Sequence, residues 1–370
     1  MADKQAERTR SVPENGRTDL RQSLRQDFDD FRSGQLTHSL RRDLEDVSQF
    51  YLDDPTRDRL TSMGQFKKTI FMSWEVLKSM FFKLTPARRL MLIVAVFLAV
   101  DGAGESSGQV LGGFMIMLFI LILELKDKLL AQDELAAGRA VQRALMPVTT
   151  PDVGGWETWI YTRPANDVGG DLVDYLVLED GRTAITIGDV AGKGLGAALM
   201  MAKLQATVRA VATDYESLAD MGTRVNSIIR RDGLPSKFAS LVYLTVEPDS
   251  NVVRLLNAGH MPPLVFQHGR STELTYNSPA LGIMQDPVFE EQQVTLESGD
   301  FLIVFSDGVT EARDEFGSFF GSTRLEKLLP LLQHMTAHEI GERIVRRVED
   351  FVGEARWTDD LSIAVIRRTS

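Results

Sequence analysis

The sequence predicts an α+β fold, in which antiparallel sheets are covered by helices. Two observations lead to this class. Beyond Pro147, short apolar runs rich in β-branched residues follow one another in adjacent pairs, as strands of antiparallel sheets do. The helical patterns in the same segment occur in groups and do not alternate with single strands, which argues against a doubly wound parallel sheet.

The elements predicted in this segment follow from the period of the apolar residues. Strands are expected at residues 157–162, 172–178, 183–189, 239–247, 252–258, 301–306 and 361–366. Helices are expected at residues 195–213, 217–231, 322–332 and 337–352.

Composition excludes several classes of site. The 370 residues carry a net charge of −11, which argues against a nucleic-acid-binding protein. Because there is no cysteine, disulfides and thiolate metal sites are excluded. With only five histidines, a metal site would depend on carboxylates, which suit Mg²⁺ or Mn²⁺ better than Zn²⁺. The first 16 residues are polar and lack the apolar core of a secretory signal.

The N-terminal residues 1–85 are expected to form a regulatory region. Residues 1–17 have the composition of a disordered segment. Apolar residues then recur at helical spacing from Leu20 to Phe50, and a further amphipathic helix is predicted for residues 56–84. A small helical bundle is the simplest interpretation of this pattern.

Residues 86–125 contain two apolar runs, residues 90–100 and 110–123, joined by a polar segment. Each run is shorter than the roughly 20 residues that cross a bilayer. The flanking charges are basic outside the pair (Arg88, Arg89, Lys126, Lys128) and acidic inside it (Asp101, Glu105). This distribution predicts a membrane hairpin through residues 90–123 with both termini in the cytoplasm. A buried hairpin of a soluble protein is the alternative.

Residues 126–148 are predicted to form a linker helix, which is continuous with the second apolar run and ends at Pro147. Apolar residues at Ile122, Leu125 and Leu129 begin a heptad-like pattern, which weakens further along the helix. The pattern favours a homodimer through paired linker helices, and a solvated spacer helix is the alternative.

The stretch ITIGDVAGKGLGAA, residues 185–198, is central to the functional prediction. A β-branched run leads to Gly188 and Asp189, and a glycine-rich loop and an apolar helix follow. A rigid strand that ends in a carboxylate beside a small loop suits a metal site. A phosphate-binding loop is the alternative, but the spacing of a Walker motif is missing.

Three further segments place aspartates beside apolar runs. They are Gly169-Gly170-Asp171 with Asp174, Ser306-Asp307-Gly308, and Thr358-Asp359-Asp360. A single aspartate of this kind usually caps a turn. Four such segments together are better explained by cations, because clustered carboxylates repel one another. Two divalent ions would neutralise them and activate a water for attack on phosphorus.

These motifs resemble those of the PPM (protein phosphatase 2C-like) serine/threonine phosphatases, in the bacterial SpoIIE/RsbU branch. The matching segments are AVQRALMP (140–147), VGGDLVDY (168–175), GDVAGKGLGAALMMA (188–202), NAGHMPPL (257–264), LGI (281–283), FSDGVTEARDEFGSFFG (305–321) and TDDLSIAVI (358–366). Their order and spacing hold over the whole segment, whereas residues 1–85 and the hairpin lie outside the resemblance.

The resemblance implies that residues 149–370 form an αββα sandwich with two Mn²⁺ or Mg²⁺ ions between its sheets. It assigns metal ligation to the side chains of Asp171, Asp189, Asp307, Asp359 and Asp360 and to the carbonyl of Val190. Asp189 would bridge both ions, and Asp189 and Asp307 would hold the ions that activate the water. Asp174 would lie farther from these ions or beside a third one. The substrate would be a phosphorylated STAS-type anti-sigma-factor antagonist, whose dephosphorylation releases a sigma factor by partner switching.

Two departures from the wider superfamily concern the acid and the phosphate-binding group. Ala191 stands where eukaryotic members have a histidine, so a water on the metal would serve as the acid. No arginine lies just before Asp171, and Arg163 is a candidate for that role. His260 is expected to be structural, because it follows a tight strand exit.

Two other functions are compatible with the sequence. A membrane-tethered scaffold or receptor could keep the phosphatase fold and only bind its partner, although it would not need the full set of aspartates. Hydrolysis of a small phosphoester is possible on chemical grounds and is disfavoured by the resemblance.

Overall fold

The computed structural model describes residues 65–105, 107–232, 237–275 and 278–369. The chain divides into two compact units, Met1–Asp127 and Lys128–Ser370, each of which is described by itself. The disorder predicted for residues 1–17 and the helical pattern of residues 20–50 lie outside the described residues.

The described part of the first unit consists of helices. Helix α1 spans Gln65–Lys83, α2 spans Pro86–Glu105, and α3 begins at Ser107 and continues to Leu145 in the second unit. The polar segment 101–109 was expected to be a loop, but the helices occupy all of its described residues, which exclude only residue 106. Arg88 on α2 pairs with Glu124 and Asp127 on α3 at 2.7 and 2.6 Å, so these two helices run antiparallel.

The apolar side chains of α2 and α3 are largely exposed within the chain. Leu90 and Phe97 on α2 are 64% and 65% exposed, and Leu111 and Leu121 on α3 are 61% and 63% exposed. Among the described residues, only α3 is both long and apolar enough to cross a membrane, and this is weak support for a span. The shorter apolar part of α2 is preceded by Arg88 and Arg89 and followed by Asp101.

The second unit contains ten strands and five α-helices in its described residues. The strands are β1 Trp156–Arg163, β2 Asp171–Val177, β3 Thr183–Val190, β4 Ala239–Val246, β5 Val252–Ala258, β6 Leu264–Gln267, β7 Arg270–Glu273, β8 Glu291–Thr295, β9 Phe301–Phe305 and β10 Leu361–Arg368. The helices are α4 Leu195–Val211, α5 Leu218–Asp232, α6 Asp307–Thr310, α7 Ser322–Leu328 and α8 Ala337–Val352, and a 3₁₀ turn spans Leu329–Leu332.

The strands form two antiparallel sheets of five. The first has the order β1-β10-β9-β6-β7, and the second has the order β2-β3-β4-β5-β8. The predicted α+β class and the αββα sandwich are confirmed. All seven predicted strands are present, but β6, β7 and β8 were not predicted. They are four or five residues long, and β7 and β8 are mainly polar, so they give little apolar signal.

Three apolar layers hold the sandwich together. A central layer that includes Val173, Ile185 and Val304 lies between the two sheets. Alternate residues along each strand point away from this layer. In the second sheet, Leu172 packs towards α4 and α5. In the first sheet, Trp159 packs towards α8. Fully burying side chains of this kind contributes roughly 1.5–3 kcal/mol each. The two sheets are therefore fixed face to face, and this arrangement places the ends of their strands together.

Candidate metal centre

Asp171 and Asp189 lie side by side in the second sheet. Asp171 begins β2, Asp189 is near the end of β3, and the antiparallel register pairs the two residues directly. Directly opposed residues have Cβ atoms about 4.5–5.5 Å apart. Both side chains share the face of Val173 and Ile187, which belong to the central layer between the sheets. The two carboxylates therefore lie at one edge of the inter-sheet space.

The first sheet brings Asp307 and the pair Asp359-Asp360 to its own edge. Asp307 follows β9, and Asp360 comes immediately before β10, the antiparallel neighbour of β9. Ser306 donates its N–H to the Ser362 carbonyl at 2.9 Å, and its hydroxyl accepts the Ser362 N–H at 3.0 Å. A Cβ on Gly308 would overlap the carbonyl oxygen of Asp360, so only glycine fits at this position of the SDG motif.

Ser362 connects the two edges. Its hydroxyl donates to Asp171 Oδ2 at 2.6 Å, across the space between the sheets. Thr162 Oγ1 lies 2.9 Å from the same hydroxyl. The sequence analysis did not identify Ser362, although it follows TDDL directly at the start of the last strand. Its role depends on a contact across 191 positions of sequence.

The carboxyl groups of Asp189 and Asp307 have raised pKa values. Burial raises the pKa of Asp189 to about 7, with further contributions from the charges of Asp307, Asp359 and Asp360, while Lys193 lowers it. Burial likewise raises the pKa of Asp307 to about 6, assisted by Asp359 and Glu311.

Asp171 lies deepest in the site. Burial raises its pKa well above the ordinary value, the hydrogen bond from Ser362 opposes this, and the charges of Asp189 and Asp360 add to it. The five aspartates thus form one electrostatic group that is short of positive charge.

Lys193 is the cation that opposes this group most directly. Its side chain is 58% exposed, and its ammonium lies 3.0 Å from Asp359 Oδ2 and donates to the Thr358 carbonyl at 2.6 Å. It lowers the pKa values of both Asp189 and Asp307. Lys193 was also missed, since in the sequence it appears only as the polar residue of a glycine-rich loop.

Asp360 and Val190 contact the loop that precedes Asp171. Asp360 Oδ2 accepts the N–H groups of Gly170 at 2.6 Å and Asp171 at 3.3 Å, and Oδ1 accepts that of Ala165 at 2.8 Å. The Val190 N–H donates to the Gly170 carbonyl at 3.3 Å. Each of these contacts holds the backbone beside the site.

The spacing of the site carboxylates and the kind of atoms they offer lead to different conclusions about metal binding. In the described part of the chain, no three Asp, Glu, His or Cys side chains stand close enough to hold a metal ion. The donors are nevertheless all oxygens, which suit Mg²⁺ and Mn²⁺. A cation would also relieve the repulsion among the carboxylates, which adds to the effect of burial in raising the pKa values of Asp171, Asp189 and Asp307. The residues fit a metal ion chemically, and binding would require the side chains to turn towards it.

Asp174 and Arg163 point away from the candidate centre. Asp174 lies on the opposite face of β2 from Asp171 and accepts two hydrogen bonds from Arg209, both at 2.6 Å. The Arg163 guanidinium lies 3.6 Å from the centroid of the Trp357 ring and donates to Glu349 at 2.7 Å. Both residues therefore connect a sheet to its outer helical layer.

His260 is buried, with Nδ1 2.7 Å from the hydroxyl of Ser240. Burial lowers its pKa to about 4, and a backbone hydrogen bond with Phe305 acts in the opposite direction. Asn257 accepts the His260 N–H at 2.8 Å, which fixes the strand exit. These contacts agree with a structural role.

Comparison with known proteins supports the resemblance. The chain is 27% identical over 249 residues to phosphoserine phosphatase RsbU of Bacillus subtilis, covering 66% of this chain and 72% of RsbU. It is 29% identical over 224 residues to protein IcfG of Synechocystis, covering 53% of this chain but only 35% of IcfG. The chain therefore spans about a third of the length of that relative.

A solved structure shows the same fold. The SiaA-PP2C domain of Pseudomonas aeruginosa superposes with a TM-score of 0.58 at 23% identity, covering 65% of this chain and 98% of that domain. The family model described as stage II sporulation protein E (SpoIIE) matches residues 179–369. Since that match spans more than half of the sequence, the chain belongs to the SpoIIE family.

Proposed function

We propose that the chain is a metal-dependent serine/threonine phosphoprotein phosphatase. The observation that carries this proposal is the convergence of Asp171, Asp189, Asp307 and Asp359 where the two sheets meet in a SpoIIE-family domain. The raised pKa values of Asp171, Asp189 and Asp307 support a site that is completed by cations.

The proposed centre holds two Mn²⁺ or Mg²⁺ ions. The residues that would hold these ions are Asp171, Asp189, Asp307 and Asp359 through their side chains and Val190 through its carbonyl. Asp360 is the weakest candidate for a metal ligand, because both of its carboxylate oxygens already accept backbone N–H groups. When bound, the ions would supply positive charge for the phosphoryl oxygens and make a water molecule a better nucleophile.

The chain's own residues would orient this chemistry. The Ser362 hydroxyl donates to Oδ2 of Asp171 and so fixes the direction of this carboxylate. Lys193 keeps a positive charge at the rim of the site, where it would attract an anionic phosphoryl group. Ala191 supplies no acid at the position after Val190, so the proton for the leaving group would come from water.

The proposed substrate is the phosphoserine or phosphothreonine of a STAS-type anti-sigma-factor antagonist in a partner-switching pathway. The similarity to RsbU, whose name is phosphoserine phosphatase, supports this choice. The decisive experiment measures phosphate release from candidate phospho-STAS proteins with and without Mn²⁺, using Asp189→Asn as the inactive control. Binding of the STAS protein without release would instead support the scaffold function, and release only from a small phosphoester would refute the protein substrate.

We further propose that residues 86–125 form a membrane hairpin, that residues 1–85 are regulatory, and that linker helices pair in a homodimer. The exposed apolar side chains of α2 and α3 support the membrane assignment, since a soluble protein rarely exposes so many together. Both termini and the phosphatase domain would then lie in the cytoplasm.

Full-length protein should fractionate with membranes, whereas a truncated protein beginning at Lys128 should not. Recovery of the full-length chain in the soluble fraction without detergent would refute the membrane hairpin.

A further inference from the structure

The last two turns of α3 contact the loop that carries Asp171. Gln142 on this helix is only 4% exposed, and its side-chain amide makes two hydrogen bonds to one residue, Gly169. Its Nε2 donates to the Gly169 carbonyl at 2.8 Å, and its Oε1 accepts the Gly169 N–H at 3.0 Å. A single side chain thus satisfies both polar backbone groups of a buried glycine.

Gly169 is held equally firmly from the other side. A Cβ at this position would overlap the carboxylate of Asp360, so the backbone and this carboxylate are in direct contact. The next two residues, Gly170 and Asp171, donate their N–H groups to Asp360 Oδ2. The loop is therefore fixed between the Gln142 amide and the Asp360 carboxylate, two residues before Asp171.

Two other side chains, Gln205 and Arg139, hold the same end of α3, and they bind different partners. Gln205 on α4 donates to the Leu145 carbonyl at 2.7 Å, and among the described residues its side chain makes no hydrogen bond to the loop. Arg139 donates to the Asp167 carbonyl at 2.8 Å and pairs with its carboxylate at the exposed start of the loop. Docking of the helix and positioning of the loop are thus carried by different side chains.

We propose that Gln142 is a positioning residue for the metal centre, which acts by fixing the Gly169 peptide and through it the direction of the Asp171 carboxylate. This inference rests on the proposed function, because it concerns the affinity of that centre for its ions. Side chains that orient a metal ligand typically change metal affinity or activity by about 10- to 100-fold when replaced.

The test compares Gln142→Met and Gln205→Met in the full-length chain. Methionine keeps the length of the side chain and removes its hydrogen bonds. Both glutamines are 4% exposed and hold the same helix end, so Gln205→Met controls for docking. The two readouts are the Mn²⁺ dissociation constant from calorimetry and amide hydrogen exchange of residues 165–171 in metal-free protein.

We expect Gln142→Met to weaken Mn²⁺ binding by about 10- to 100-fold and to speed exchange in the loop. Gln205→Met should leave both within about twofold of wild type, which is the scatter expected for a side chain remote from the ligands. The phosphatase rate of Gln142→Met at saturating Mn²⁺ should recover most of the wild-type value.

Two results would overturn this inference alone: an unchanged Mn²⁺ affinity in Gln142→Met, or an equal loss in Gln205→Met, which would reduce the role to docking. Failure of the wild-type protein to bind Mn²⁺ would overturn the proposed function together with the inference.

Discussion

Two sets of aspartates in the same domain differ in whether the protein compensates their charge. Asp174 and Asp360 are almost fully buried, yet Asp174 is paired with Arg209 and Asp360 accepts three backbone N–H groups. Asp189 and Asp307 are partly buried, and within the described residues neither accepts a hydrogen bond from a side chain. Their pKa values rise to about 7 and about 6.

This difference in charge compensation distinguishes an aspartate with a structural role from one that is a candidate metal ligand. A buried charge is costly unless it is paired or hydrogen-bonded. Where the fold needs the carboxylate for its own cohesion, it provides the partner, as Arg209 does for Asp174. Where it provides none, as at Asp189, the missing partner is expected to be a bound cation. Asp171 belongs with the second set, because one hydrogen bond from Ser362 leaves its pKa well raised.

The largest expected effect is the loss of activity in Asp189→Asn. Removing this proposed ligand should lower the Mn²⁺-dependent rate of phosphate release by about 1,000-fold, equivalent to about 4 kcal/mol of barrier. The metal-free variant should unfold at a temperature equal to or above that of wild type, because a repelled charge has been removed. Activity close to wild type, or clear destabilisation, would place Asp189 in the structural set.

The stability gain of Asp189→Asn in metal-free protein should depend on pH. The folded pKa of about 7 exceeds the ordinary value, so the folded state holds more protons than the unfolded state between about pH 4 and 7. The aspartate therefore makes the fold less stable as pH rises through this window, and the effect is complete above it. His260 acts oppositely, since its lowered pKa makes the folded state more stable as pH rises from about 4 to 6.5.

Because His260 is the same in both proteins, its contribution cancels in the difference between wild type and variant, which reports Asp189 together with its effect on Asp171. Urea unfolding in a chelator should show a gain that is small at pH 5 and larger at pH 8. A gain independent of pH would mean that Asp189 keeps its ordinary pKa in the folded protein.

Asp174→Asn should affect stability and leave catalysis intact. The variant loses two charge-assisted hydrogen bonds from Arg209, but that guanidinium is half exposed and can return to water. We expect a loss of about 1–3 kcal/mol, or roughly 2–4 °C in melting temperature per kcal/mol. Arg209→Gln should cost a similar amount, and the double variant should cost less than the sum. A normal melting temperature with an altered Mn²⁺ response would instead support a third metal at Asp174.

Much of this distinction was accessible from the sequence. The strands beside Asp189 and Asp307 are strongly apolar, so their positions and the aspartates at their ends were predicted. Asp171 and Asp174 are three residues apart on one strand and must face opposite sides of the sheet, which already separates their roles. The partner of Asp174 was not predictable, because Arg209 lies 35 residues away on a helix.

Contacts between elements account for the remaining differences. Arg163 was a candidate phosphate partner, but its place on the outer face of β1 depends on Trp357 and Glu349, which are distant in sequence. Gln142 lies in a segment read only as a linker, and nothing local predicts its contact with Gly169. Ligands at the ends of apolar strands are thus visible in a sequence, while the residues that hold them depend on the packed fold.

The smallest effect is expected for Asp360→Asn, a variant that tests whether Asp360 has a structural role, like Asp174, or ligates the metal, as proposed for Asp189 and Asp307. An asparagine at this position keeps one carbonyl oxygen, which can still accept the N–H groups of Gly170 and Asp171, while its amide group cannot accept that of Ala165. If Asp360 acts only on the backbone, Asp360→Asn should cost about 1 kcal/mol of stability and leave the Mn²⁺ dissociation constant nearly unchanged. Asp360→Ala, which removes all three hydrogen bonds, should cost more stability and should also weaken Mn²⁺ binding, because the loop before Asp171 would be freed.

Thermal melts and calorimetry on the two variants separate these cases. A large loss of Mn²⁺ affinity in the asparagine variant, at normal stability, would show that the charge of Asp360 ligates the metal directly and would move it into the set of Asp189 and Asp307.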